Sequence, residues 1–158
     1  MSTVSESVGR YLCAIQLLTT EHDHAARTGE LADYLEVSSA SVTEMLSALE
    51  RSELATYEKY HGAQLTGEGE SIARELMWKH CVAENFLEQD LDVELAGIDG
   101  GEQARTLAHA LSDEVALRLQ QHIDHPCELR CGAPQREYSE CQADVIGEAE
   151  AEAQSASR

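Results

Sequence analysis

A chain of 158 residues is long enough for one ordinary domain or for two small ones sharing a core. It carries 30 Asp and Glu against 11 Lys and Arg, a net charge of −19, and nowhere holds the run of about 18 apolar residues that a membrane span needs. Met1 to Arg10 shows neither the basic patch nor the apolar stretch of a secretory signal, so the expected location is the cytoplasm, with no membrane partner.

The acidic excess is spread along the whole chain, Lys59 and Lys79 are its two lysines, and there is a single Phe among many Ala, Gly and Ser. A solubilising surface is one reading of such a balance. A halophile's cytosol, haloarchaeal in character, is the other, because multimolar salt screens the self-repulsion of so charged a surface. The five cysteines, Cys13, Cys81, Cys127, Cys131 and Cys141, form an odd set. They point away from a disulfide framework and toward core fillers, metal ligands or redox-active thiols.

In chain order, Val4, Val8, Tyr11, Leu12, Ile15 and Leu18 make a helical stripe. The polar stretch Thr19 to Arg27 reads as a loop, and Thr28 can cap a short helix bearing Leu31, Ala32 and Leu35. The segment Glu36 to Ser39 interrupts it, with Val37 plugging the corner. A second helix then runs from about Ala40 to Arg51, with Val42, Met45, Leu46 and Leu49 facing inward. Two short helices about a tight polar turn are a helix-turn-helix pattern. Leu54 to Tyr60 is rich in strand formers, His61-Gly62 turns, and Ala63 to Leu65 returns, as the wing of a winged helix does.

Thr66 caps a long helix to about Glu88, with Ile72, Leu76, His80, Ala83 and Leu87 in its inward stripe. A Gly- and Asp-containing connection follows from Asp90 to Gly101. Helices are expected over Glu102 to Leu111 and from Ser112, a fitting N-cap, to Ile123. After Pro126 the periodicity is lost, and the Ala-, Glu- and Ser-rich end reads as a disordered acidic tail or a frayed helix. The expected fold is mainly α. A winged helix-turn-helix domain spans residues 1–70, an all-helical domain 71–140 and the tail 141–158.

The run YEKYHGAQLTGEGESIARELMWKHCVAENFL (Tyr57 to Leu87) resembles the wing and linking helix of the diphtheria toxin repressor family of iron- and manganese-dependent transcriptional regulators. RYLCAIQLL (Arg10 to Leu18), GELADYLEVSSASVTEML (Gly29 to Leu46) and HALSDEVALRL (His109 to Leu119) match in the same order, so the resemblance covers roughly residues 4 to 134. It is closest in flavour to the manganese transport regulators. It implies a homodimer that binds a palindromic double-stranded DNA operator, probes metal through its helical domain, and gains DNA affinity on metal binding. The implied effector is Mn2+ or Fe2+, with Zn2+ as a further option, and the implied role is repression of metal-uptake or homeostasis genes. The SH3-like third domain of some members is not expected in a chain of this length.

By the same resemblance, the second helix of the motif enters the major groove with Ser38, Ser39, Ala40, Ser41, Thr43 and Glu44. Hydroxyls suit phosphate and base edges, and Glu44 can accept from cytosine N4. Lys59 and His61 fall on the wing, where backbone contacts are expected; exposed turn and helix polar residues would look the same. Residues 38–66 hold Arg51 and Lys59 against Glu44, Glu50, Glu53 and Glu58, an acidic balance for a DNA-binding face. At multimolar salt, counterion release drives little, and hydrogen bonding, shape and bridging water must supply more.

His80 and Glu84 are four apart on one helix face, and a buried ionised Glu84 would be costly without a cation or a hydrogen-bonded partner. The resemblance makes both of them metal ligands, and His109 a third. Imidazole with carboxylate suits manganese, iron or zinc. Other ligand positions of the family depart: Arg10 stands where an Asp or Met is usual, and Cys13 where manganese-type members have Glu. Arg105 and Ala108 replace carboxylates or a thiol, and the further His of iron-type members falls near Gly101. Cys13 is a candidate thiolate replacement that would shift preference toward softer ions, and Glu102 lies one face-repeat before His109. The departures put the family's binuclear site in doubt, and a Glu102–Arg105 salt bridge with a surface His109 is the bland alternative.

His122, His125, Cys127, Cys131 and Cys141 cluster near the end, with Cys127 and Cys131 spaced more loosely than the CxxC of most zinc sites. A second metal site, a thiol switch and an ordinary C-terminal arm all fit. The rival function is a redox-responsive winged-helix regulator with a vestigial metal site. No nucleophile–base motif, Gly-rich phosphate loop or cofactor signature points to an enzyme.

Overall fold

The computed structural model describes residues 4–95, 98–125, 127 and 129–131, with the side chains of 98–100 excepted. The elements in order are helices α1 (Glu6–His22), α2 (Thr28–Leu35) and α3 (Ser39–Arg51), strands β1 (Ala55–Glu58) and β2 (Gly62–Leu65), and helix α4 (Gly67–Asn85). A π-helical turn (Phe86–Asp90) ends α4, and α5 (Ile98–Ala110) and α6 (Asp113–Ile123) follow. Two compact units divide the chain between Met77 and Trp78, inside α4.

The first unit is a winged helix. Val42, Leu46 and Leu49 of α3 meet Leu12 and Ile15 of α1 and Leu31 and Leu35 of α2 in one core. Each such buried aliphatic side chain contributes about 1.5–3 kcal/mol relative to exposure. The motif's corner is made as the sequence implies. Glu36 takes a left-handed conformation (φ 56°), the Val37 N–H donates to Ala32 O at 3.0 Å, and Ser38 caps α3 by accepting from Ser41 N at 3.1 Å.

In the first unit, two boundaries differ from the sequence reading. Helix α1 runs on to His22, through residues read as loop, and stops at a left-handed Asp23 (φ 54°). Polarity marks where a helix leaves the core, not where its backbone hydrogen bonds end, and here Thr20 Oγ1 donates to Gln16 O at 2.7 Å. Thr28 is the first residue of α2 rather than its cap, and the Glu30 carboxylate takes over by accepting from Arg27 N at 2.9 Å.

The wing is the antiparallel pair β1–β2, registered from Ala55 opposite Leu65 to Glu58 opposite Gly62. A bridge from Ala26 to Ala63 adds a third strand position on the far edge of β2. Gly62 is required there: its φ is +115°, and a Cβ would stand 2.6 Å from Ala26 O. Thr66 Oγ1 then accepts from Gly69 N at 3.2 Å, starting α4 where the sequence places a cap.

In the second unit Trp78, Val82 and Ala116 form the core, with Leu111, Leu117, Leu119, Ile123 and Cys127 packed against them. The Trp78 indole N–H donates to Cys127 O at 2.9 Å, holding the start of the C-terminal arm on α4. Helix α4 hands over to the π-turn through a side-chain ladder, with Asn85 Nδ2 donating to Cys81 O and Gln89 Nε2 to Asn85 Oδ1, both at 2.8 Å. Ser112 caps α6 by accepting from Val115 N at 3.2 Å, as expected. Helix α5 begins at Ile98, earlier than the glycines suggest, with Gly100 and Gly101 inside its first turn. The tail at 141–158 lies outside the described residues.

Gly62→Ala combines left-handed strain with a clash against backbone, and should lower the unfolding free energy by about 2–4 kcal/mol. Urea unfolding followed by circular dichroism checks this, and a loss below about 0.5 kcal/mol would remove the Ala26 contact from the account of the wing.

Candidate metal centre and nucleic-acid interface

On α3, Ser39, Ala40, Thr43 and Glu44 are all exposed while Val42, Leu46 and Leu49 are buried, so one face is given to the core and the opposite face to solvent. The hydroxyls on it are not equivalent. Ser38 is the helix cap and donates to Ser41 Oγ at 2.9 Å, and Thr43 Oγ1 is turned back on Ser39 O at 3.0 Å. Ser39 and Glu44 make no side-chain hydrogen bond among the described residues, which leaves them the outward-directed polar groups of this face.

At the tip of the wing the His61 N–H closes a tight turn onto Glu58 O at 3.0 Å. Tyr60 there has a φ of 71° and is 89% exposed, and the Lys59 ammonium lies 5.2 Å from its ring centroid. The sequence reading named Lys59 and His61 but not Tyr60. Its signal was an aromatic residue sitting where a turn usually takes Gly or Asn.

In the second unit, His80 and Glu84 lie one turn apart on α4, and the His80 Nε2 and Glu84 Oε2 atoms are both out of solvent. Burial pushes the His80 imidazole down to about 4, with the nearby Arg105 guanidinium adding to it. Burial pushes the Glu84 carboxyl up to about 7, with the Glu88 carboxylate adding. Glu84 Oε2 has no hydrogen-bond partner among the described residues. A neutral imidazole and a carboxyl that gains by acquiring a cation fit a divalent metal.

The other sequence candidates lie on other elements. His109 is exposed on the last turn of α5, Glu102 is exposed on the same helix, and Arg105 between them is half-buried. Cys13 belongs to the first unit, half-buried, with Sγ 3.8 Å from Ala73 O. Among the described residues no three His, Cys, Asp or Glu side chains are gathered as a metal would need. In the C-terminal cluster, His122 pairs with Asp90, Cys127 is half-buried against the Trp78 core, and Cys131 is 4% exposed. The Cys127 N–H donates to His125 Nδ1 at 3.2 Å. Cys141 lies outside the described residues.

A helix-turn-helix with a wing, followed by a helical unit that carries a half-buried histidine–glutamate pair, fits the class of two-domain, metal-responsive transcriptional regulators. The chain belongs to the iron-dependent repressor family. Residues 3–63 match the family's N-terminal DNA-binding domain, and residues 66–136 its metal-binding and dimerisation domain. An uncharacterised HTH-type transcriptional regulator of Methanocaldococcus jannaschii is 37% identical over 119 residues, which cover 73% of this chain and 91% of that one. The regulator MntR of Bacillus subtilis is 37% identical over 81 residues, 51% of this chain and 56% of its own. Among solved structures, the manganese regulator SloR superposes with a TM-score of 0.66 at 28% identity over 80% of this chain and 56% of its own. ScaR with bound Zn2+ gives 0.62 at 33% identity over 75% and 54%. The chain thus spans nearly all of the archaeal relative but little more than half of MntR, SloR and ScaR.

Glu84 must lose its proton to hold a cation, and with its folded value near 7 that requirement falls in the neutral range. Mn(II) affinity should therefore drop by up to about tenfold for each pH unit below 7 and level off above it. His80 is neutral down to about 4 and adds no step there. Without metal the sign is reversed. The protonated carboxyl is tolerated in the fold below its ordinary value of 4.5, and stability is lost as pH rises through 7. Equilibrium dialysis from pH 6 to 8.5 tests the first statement; a flat profile, or one unchanged in Glu84→Gln, contradicts it.

Proposed function

We propose that the chain is a metal-gated, DNA-binding repressor of metal-uptake or homeostasis genes, acting as a homodimer on a palindromic operator in a salt-rich cytoplasm. The observation that carries this reading is the half-buried Glu84 carboxyl, whose Oε2 is out of solvent without a hydrogen-bond partner among the described residues, one turn from a neutral His80. It lies in the region matching the family's metal-binding and dimerisation domain. When bound, the ion supplies the positive charge that lets Glu84 ionise while buried. His80 offers its ring nitrogen without first having to lose a proton, and His109 brings a further imidazole from α5.

Mn2+ and Fe2+ suit this nitrogen and oxygen donor set, and Zn2+ suits it if a thiolate such as Cys13 joins. Occupancy then shifts the homodimer toward its DNA-binding conformation. On the DNA side, Ser39, Thr43 and Glu44 read the major groove with Ser41 beside them. Ser38 holds the helix end, and Lys59 with Tyr60 meets the backbone from the wing.

Operator binding in high-KCl buffer, with chelator and then with Mn(II), Fe(II) or Zn(II), tests the whole reading. Metal should tighten binding by about 10-fold or more, within the usual range of allosteric coupling, and His80→Ala should abolish the gain. Binding indifferent to chelator, metal and substitution alike would remove the metal from the mechanism. His109→Ala and Cys13→Ser, measured for metal affinity alone, identify the donors beyond the α4 pair. The Arg105 guanidinium, close enough to disfavour protonated His80, also opposes a dication there. Arg105→Gln should raise metal affinity by about fivefold, on the order of 1 kcal/mol of relieved repulsion, and an unchanged or weakened affinity counts against that placement.

A further inference from the structure

The tip of the wing carries a side chain that the core does not use. Tyr60 is 89% exposed, well beyond the next most exposed large apolar side chain among the described residues, Leu91 at 54%. It stands between β1 and β2 with a φ of 71°, a conformation strained for a residue with a Cβ and natural to Gly.

The tip is also held firmly from behind. Ala26 and Ala63 exchange backbone hydrogen bonds at 2.9 and 2.8 Å, and Gly62 packs against Ala26. The His61 N–H closes the turn on Glu58 O at 3.0 Å. A fully presented aromatic on so fixed a hairpin end is preorganised for contact, because little freedom remains to be lost on binding.

Charge at the tip narrows the kind of contact. Glu58, Lys59, Tyr60 and His61 are all exposed. The Lys59 ammonium lies 5.2 Å from the Tyr60 ring centroid, and His61 Nε2 is 4.0 Å from Glu58 Oε1. With His61 neutral these four residues sum to zero charge, so the tip has no net attraction for phosphate. What it offers instead is a flat apolar ring with a hydroxyl at its end. Tyr60 lies within residues 3–63, which match the family's DNA-binding domain. On a duplex, the surface that suits such a side chain is the sugar–phosphate edge of a groove. Deoxyribose carbons take the ring, and a neighbouring phosphate oxygen accepts from the phenol O–H.

We infer that Tyr60 is the DNA anchor of the wing: its ring packs on a deoxyribose and its hydroxyl donates to the adjacent phosphate, a contact that persists in salt that screens Lys59. This rests on the reading of the chain as an operator-binding regulator. The contact touches no base edge, so it adds affinity without sequence preference.

The probe is the duplex that the full chain enriches from a random library, with Mn(II), Fe(II) and Zn(II) tried in turn. Affinity is then followed by fluorescence anisotropy across a series of KCl concentrations wide enough to fix the salt slope. Tyr60→Ala should weaken binding about tenfold at every concentration and leave the slope unchanged, as expected for roughly 60 Å2 of ring surface returned to water. Tyr60→Phe keeps the ring and should lose only about threefold. Lys59→Met should instead lower the slope by about 0.9, the contribution of one phosphate contact. Tyr60→Gly relieves the left-handed backbone, so it should lose affinity as Tyr60→Ala does while its thermal midpoint by circular dichroism stays level or rises.

A Tyr60→Ala affinity within twofold of wild type overturns the inference. So does a loss that fades with rising salt in parallel with Lys59→Met, which would reduce Tyr60 to a support for the lysine. A lower midpoint in Tyr60→Gly, with binding falling in step, makes the residue structural and overturns it as well. If the wild type enriches no duplex under any of the metals, the operator-binding reading fails and the role of Tyr60 falls with it.

Discussion

Glu84 sits where water does not reach one of its oxygens and where no described donor replaces that water. A carboxyl so placed has two ways to lower its free energy: keep its proton, which burial favours by moving its titration to about 7, or acquire a cation. His80, one turn away, is held neutral by the same burial and so presents a lone pair rather than a positive charge. The α4 helix that carries both residues is anchored by Trp78 to the C-terminal arm and by Lys79 to the α5–α6 turn. A carboxylate oxygen left unsatisfied in a well-packed interior is expensive, and on the proposed reading a bound cation answers that cost at Glu84.

A second constraint is charge. A chain of net charge −19 repels a polyanion at low ionic strength, so its DNA-facing surface cannot rely on phosphate attraction in the usual way. On the proposed reading, the first unit meets this with geometry. Its α3 face offers short hydroxyl side chains and one carboxylate, groups that act through directed hydrogen bonds. Its remaining exposed lysine is concentrated at the wing tip, over the ring of a tyrosine held in left-handed backbone. That conformation costs a non-glycine residue about 1–2 kcal/mol, and a fully presented phenol and ammonium are what it supports.

Sequence patterning carried the architecture because its signals are local. The helix-turn-helix shows through the spacing of Leu31, Leu35, Val42, Leu46 and Leu49, and the wing through the alternation before His61-Gly62. The resemblance supplied the order of the domains, and the family match at residues 3–63 and 66–136 agrees with it. What was not legible has physical causes. The extension of α1 to His22 depends on hydrogen bonds among polar residues, which hydrophobic periodicity does not register. Tyr60 looked like part of a strand because its φ cannot be read from its identity. The sequence reading only counted Lys79 among the two lysines, since its partners at Leu111 and Asp113 lie more than thirty positions away in the chain. The i,i+4 pair of His80 and Glu84 was visible; the depth of its burial was not.

Arg105 brings these threads together. The family pattern leads one to expect a carboxylate or thiol on this face of α5, and the chain has instead a fixed cation near enough to His80 to oppose its protonation. On the proposed reading, part of the positive charge that the acidic pair demands is then supplied permanently by the protein, and the remaining demand is smaller than a second metal ion would satisfy. The same guanidinium repels an incoming dication, so affinity must be set by how well the donors are placed rather than by how many negative charges surround them. On that reading the α4 pair carries the site, and α4 is tied to the α5–α6 turn by the buried ammonium of Lys79 next to His80.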